Sequence, residues 1–138
     1  MIAISPRQRE HVEITEMSNR LLIVDDAMIM RLRIREIATQ AGWEVVGEAA
    51  DGNQAIEMFR RLKPDLVTMD IVMPSMDGVE ALRAIRQEAP NARVCMVSAL
   101  NQREKLAECI RLGAIDFVVK PFDKSQLISL FEKQGRIQ

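Results

Sequence analysis

The chain has 138 residues, 48% hydrophobic and 28% charged, with a formal net charge of −1. That is enough for one domain with a real core, and the near-zero charge excludes recognition of nucleic acid by bulk electrostatics. No apolar run is long enough to cross a bilayer, and the two cysteines and one histidine leave no material for a zinc site or a histidine-based triad.

Residues 1–19 are polar, mixed in charge and hold His11. They lack the apolar segment of a secretory signal and read as a polar arm, disordered or with a fraying helix. Residues 20–138 read as the folded domain. Leu21 to Val24, LLIV, is the first strand, and Asp25 and Asp26 follow at once. Ala27 to Ala41 has helical spacing, with Met30, Ile34, Ile37, Ala38 and Ala41 on one stripe. Arg31, Arg33 and Arg35 lie off that stripe and read as a solvated face. Gly42 fits the position after a helix end. Trp43 to Val46 is a second strand near a sheet edge, its Trp a packing residue. Asp51-Gly52 makes a turn, and Asn53 caps a helix to Leu62 with Ala55, Ile56 and Phe59 inward. Pro64 stops it.

The stretch from Asp65 to Gly78, DLVTMDIVMPSMDG, comes next. Leu66, Val67, Thr68 and Met69 suit a strand buried on both faces, where alternation is lost. Asp70 stands at its end. A helix from Gly78 to Glu88 turns Val79, Leu82 and Ile85 to one side. Arg93 to Val97 is the fourth strand, ended by Ser98. Asn101 with Glu104 resembles a capping box for a helix to Leu112, with Leu106, Ala107 and Ile110 inward. Ile115 to Val119 is the fifth strand, ended by Lys120-Pro121. Asp123 and Gln126 cap a last helix to Gln134 that buries Leu127, Leu130 and Phe131. Cys95 and Cys109 fall inside such elements and read as small hydrophobes in a reducing compartment, so a cytoplasmic location is expected.

Alternating strands and helices with short connections imply an α/β fold, a parallel sheet covered by helices. In such sheets ligands bind beyond the carboxyl ends of the strands. Asp25, Asp26, Asp70, Ser98 and Lys120 are each the first polar side chain, or next to it, after an apolar run. Three carboxylates in one pocket repel, and oxygen ligands without His or Cys favour magnesium, or manganese, as the neutraliser. A divalent cation, an ammonium and a hydroxyl are the equipment for stabilising a transferring phosphoryl group. Asp70, on the central strand, is the candidate nucleophile.

These residues, in LLIVDD, DLVTMDIVMPSMDG, VSAL and GAIDFVVKP, resemble the receiver domain of two-component response regulators, nearest the single-domain chemotaxis type, over Arg20 to Glu132. The resemblance implies a flavodoxin-like (βα)5 three-layer sandwich with strand order 2-1-3-4-5. It implies that Asp70 accepts a phosphoryl group from a sensor histidine kinase. Asp26, Asp70 and the Val72 backbone carbonyl would bind Mg2+ directly and Asp25 through water, with Mn2+ able to substitute. Lys120 would hold the phosphate, Ser98 would be the switch hydroxyl, and Phe117 the aromatic switch behind it. The Lys120-Pro121 bond would be cis. The resemblance further implies a face of fourth helix, fifth strand and fifth helix that meets a flagellar switch or other output protein. No nucleic acid or membrane is implied, and the protein would catalyse only its own phosphorylation and dephosphorylation. The stretch after Pro121 holds no more than one helix, so output is expected by protein contact.

Val72 and Leu100 depart from the chemotaxis pattern, where polar residues are common. Both would flank the path of an attacking water, which apolar groups cannot orient. Three other functions share part of the equipment. An intermediate receiver in a phosphorelay has the same site. A phosphohydrolase of the haloacid dehalogenase type needs an acid two residues after its nucleophile, where Val72 stands. An unphosphorylated scaffold would not need all five site residues.

Overall fold

The computed structural model describes residues 19–135. Five strands, β1 (Arg20–Val24), β2 (Glu44–Ala49), β3 (Leu66–Asp70), β4 (Val94–Ala99) and β5 (Asp116–Lys120), form one sheet in the order β2-β1-β3-β4-β5. All four pairings are parallel. The helices are α1 (Met28–Gln40), α2 (Gly52–Leu62), α3 (Gly78–Glu88), α4 (Arg103–Arg111) and α5 (Lys124–Gln134). This is the expected flavodoxin-like sandwich. Among the described residues no helix is long and apolar enough to cross a membrane. The arm expected over residues 1–19 lies outside the described residues except for Asn19, whose carbonyl accepts the Glu44 N–H at 2.7 Å.

The sheet is buried on both faces, which is why its inner strands read as continuous apolar runs. Leu22, Val24, Val67, Met69, Val94 and Met96 point to one core, closed by Ala55, Ile56, Val79, Leu82, Ile85 and Cys109 from α2, α3 and α4. Leu21, Ile23, Leu66, Cys95, Val97 and Val118 point to the other, closed by α1 and α5. Both cysteines are buried there as thiols, and burial pushes them up to about 12 (Cys95) and about 11 (Cys109), so neither is a thiolate at neutral pH.

Several local expectations are corrected. β2 runs to Ala49 and starts after Trp43. Its register against β1 shifts between Leu21 and Leu22, so Val46 is an extra residue and the strand continues through polar Glu48. Trp43 instead packs at 5.9 Å from the Phe131 ring and donates its indole N–H to the Phe131 carbonyl at 3.0 Å. Asp51, not Asn53, caps α2, accepting the Gln54 N–H at 2.9 Å. Asn101 caps nothing, because α4 begins at Arg103 and the Gln102 side chain turns back to the Ala99 N–H at 2.7 Å. On α4 the buried residue is Cys109, while Ala107 and Ile110 are exposed. That helix leans one edge on the sheet and leaves the other open.

Candidate functional site

β1 and β3 lie side by side, with Val24 opposite Met69. Asp25, one residue beyond β1, and Asp70, the last residue of β3, therefore emerge at the same edge of the sheet. The chain passes from β1 outward to β2 and returns to β3 on the other side, so this edge is the topological switch point, where such sheets open a crevice. One carboxylate oxygen each from Asp25, Asp26 and Asp70 lies within 4.8 Å of the others. Asp25 and Asp70 are buried, and Asp26 faces solvent. Lys120, the last residue of β5, reaches over β4, where its register partner is the small Ala99. Its Nζ stands 3.1 Å from Asp25 Oδ2 and 3.4 Å from Asp70 Oδ1. Ser98, buried in β4, lies one residue beyond Val97, which pairs with Asp70.

The frame around these acids holds residues that sequence reasoning missed. Asp25 Oδ1 accepts the Ala27 N–H at 2.9 Å, which starts α1 directly above the site. The Asp25 carbonyl accepts Arg31 Nη1 at 2.7 Å. Arg31 is in turn held by Glu48 of β2 at 2.9 Å, and Arg35 meets the other Glu48 oxygen at 2.6 Å. Burial alone would raise the Glu48 carboxyl, but the two guanidiniums outweigh it and hold it below its ordinary value. So Arg31 and Arg35 are not the solvated face expected of them; Arg33 is exposed, yet packs on Phe122. Gly78 is the second missed element. Its N–H donates to the Ile71 carbonyl at 2.6 Å, and a Cβ there would sit 2.1 Å from the Asp70 carbonyl oxygen. Only glycine lets α3 start this close to the end of β3.

Charge is concentrated here. Burial, then the Asp25 charge, push the Asp70 carboxyl from 3.8 up to about 6, against the pull of Lys120. Burial works to lower the Lys120 ammonium, but Asp70 and Asp25 outweigh it and hold it above its ordinary value. The site therefore has one cation for three acids. Asp70 is ionised for the most part at neutral pH.

The response regulator receiver domain profile matches residues 21–132 of the chain. The chain belongs to the response regulator receiver domain family. Chemotaxis protein CheY of Thermotoga maritima is 47% identical over 120 residues, covering 87% of this chain and 100% of that protein. The solved response regulator domain of Thermotoga maritima CheB is 41% identical with a TM-score of 0.75, covering 85% of this chain and 93% of that one. A chain of the CheX–CheY–BeF3–Mg2+ complex from Borrelia burgdorferi is 37% identical with a TM-score of 0.76, covering 80% of this chain and 84% of that one.

In this receiver domain Val72 and Leu100 follow the carboxyl ends of β3 and β4, while Phe117 sits near the start of β5, opposite Met96. Phe117 is 45% exposed on the edge strand β5. With Ser98, Leu106, Ile110 and Val119 it lines an apolar hollow of about 600 Å3. Val72 and Leu100 are 48% and 72% exposed and share the wall of one concavity of about 550 Å3. The Lys120-Pro121 bond is cis.

Proposed function

We propose that this receiver domain takes a phosphoryl group on Asp70 from a sensor histidine kinase and thereby changes its affinity for a protein partner. The observation that carries this is the Lys120 ammonium bridging Asp25 and Asp70 at 3.1 and 3.4 Å inside a three-carboxylate cluster. An Asp70 oxygen attacks phosphorus, the P–O bond forms, the P–N bond of the phosphohistidine breaks, and the imidazole leaves. Lys120 and the Ser98 hydroxyl hold the phosphoryl oxygens as charge builds on them. The protein would catalyse only its own phosphorylation and dephosphorylation.

The donor set fits a hard divalent cation, being all oxygen and short of positive charge. Asp26, Asp70 and the Val72 carbonyl would hold Mg2+ directly. Both Asp25 oxygens are already engaged, with the Ala27 N–H and Lys120, which supports its acting through water. When bound, Mg2+, or Mn2+ in its place, neutralises the carboxylates and polarises the phosphoryl oxygens.

The hollow beside Phe117 supports the switch. The new charge draws in the Ser98 hydroxyl, and Phe117 turns into the space vacated. The face of α4, β5 and α5 then shifts between two populations with different partner affinity. Relatives named as chemotaxis proteins support a place in chemotaxis, and the partners would then be a chemotaxis kinase upstream and a flagellar switch protein downstream. Residues 20–138 would carry this activity, with 1–19 as an appended arm.

The test is intact-protein mass after incubation with acetyl phosphate, with and without Mg2+, for wild type and Asp70→Ala. An adduct of one phosphoryl group that needs both Mg2+ and Asp70 is expected. No adduct from acetyl phosphate or from a phosphorylated histidine kinase overturns the proposal.

A further inference from the structure

We propose that Arg33 is a positioning residue for Lys120: it ties the segment that carries the ammonium to the helix that follows Asp25 and Asp26. The inference rests on the phosphoacceptor function above. β5 is an edge strand, bonded to β4 alone, so the chain leaving Lys120 has no strand on its far side. The segment turns at Pro121 and buries Phe122 to 4% exposure in the core beneath α1 and α5. Arg33 grips that residue twice. Its Nη2 donates to the Phe122 carbonyl at 3.1 Å, and its guanidinium carbon stands 4.9 Å from the centre of the Phe122 ring. The neighbouring Arg31 and Arg35 spend their charge on Glu48. Arg33 has no ion pair among the described residues, so its cation is committed to the ring and the carbonyl.

The contacts cross 89 positions of sequence, joining the helix that follows the acidic pair to the loop after Lys120. α1 begins directly after Ala27, whose N–H is fixed by Asp25. The separation of Lys120 Nζ from the acids is therefore framed on one side by Asp25 and on the other by the Arg33–Phe122 grip. An ammonium has three donors and no acceptor, so it can hold phosphoryl oxygens but cannot ligate a metal. Loosening Lys120 should thus weaken binding of a phosphoryl group without weakening binding of Mg2+, whose charge the ammonium opposes. A loss of general stability would not separate the two.

The experiment compares wild type with Arg33→Ala, Arg33→Gln and Arg33→Lys. Mg2+ is titrated alone, and then beryllofluoride, a phosphoryl analogue, at saturating Mg2+, each followed by backbone amide NMR shifts. Urea unfolding of each variant checks that it is folded. Arg33→Ala should weaken beryllofluoride about five- to tenfold, the scale of one ring contact and one hydrogen bond, with Mg2+ affinity equal to or above that of wild type. Arg33→Lys, which keeps the cation, and Arg33→Gln, which keeps a donor, should each recover part of the loss. Equal loss of both ligands, or unchanged beryllofluoride affinity in Arg33→Ala, overturns the inference while the wild-type protein still supports the phosphoacceptor function. A wild-type protein that binds no beryllofluoride with Mg2+ overturns both.

Discussion

Replacing Asp70 by Asn should stabilise the metal-free protein at neutral pH. The carboxyl has been pushed from 3.8 to about 6 by burial and by Asp25. Each pKa unit corresponds to about 1.4 kcal/mol, so ionised Asp70 costs the fold at most about 3 kcal/mol. The pull of Lys120 at 3.4 Å is already contained in that value, and solvent relaxation reduces the expected gain to about 1–2 kcal/mol. Lys120 keeps Asp25 as its partner at 3.1 Å, and Asn matches Asp in shape, so no cavity opens. Urea unfolding in EDTA at pH 7.5 should show the midpoint raised by roughly 0.5–1 M. The pH dependence follows from the raised value. Between about pH 4 and 6 the native state holds a proton on Asp70 that the unfolded chain has released. Wild-type stability from this group therefore falls as pH rises through that window, and the penalty is complete above it. The advantage of Asp70→Asn should be full at pH 7.5 and nearly gone at pH 4. Groups remote from Asp70 titrate alike in both proteins and cancel in the difference. Saturating Mg2+ should reverse the ranking, since it adds about 2.7 kcal/mol at a hundredfold excess over Kd to a protein that binds it. A variant no more stable than wild type at pH 7.5, or an advantage equally large at pH 4, would refute the reasoning.

Other perturbations separate the site's parts. Gly78→Ala drives a methyl to 2.1 Å from the Asp70 carbonyl and should cost about 3 kcal/mol or more by urea unfolding; a cost under about 1 kcal/mol would mean that the start of α3 yields easily. Thr68 is buried with a hydroxyl that has no partner among the described residues, so Thr68→Val should gain about 1 kcal/mol, and a loss would reveal a partner for that hydroxyl. Glu48→Gln releases Arg31 from its anchor and should weaken Mg2+ binding measured by calorimetry. Because Glu48 is held below its ordinary value, its contribution is present above about pH 4.5 and lost on acidification, so the stability difference should close in acid. Val72→Asn and Leu100→Glu should shorten the phosphoryl lifetime by giving the attacking water a hydrogen-bond partner; unchanged decay of the adduct mass in both would show that these side chains do not tune it.

The order of strands and helices, most of the apolar residues that close on the sheet, and the sheet edge at which the five candidate polar residues stand were legible in the sequence. The reason is local: each of those residues stands at or just after the end of an apolar run, and in a parallel sheet the end of every run falls on the same edge. The cap of α5 was likewise near-neighbour chemistry, the capping box of Asp123 with Gln126. What the tertiary structure decided lies between residues far apart in the chain. Arg31 and Arg35 look like a solvated face until β2 brings Glu48 beside them, and nothing near Glu48 announces them. The open edge of α4 depends on how that helix leans on the sheet, so its apolar spacing could not say that Cys109 goes inward and Ile110 outward. Gly78 reads as a turn residue, yet its constraint is the Asp70 carbonyl, a backbone atom that only folding brings within 2.1 Å of its missing side chain. Periodicity records which residues leave water; which charges then meet, and how closely two backbones approach, is set by packing.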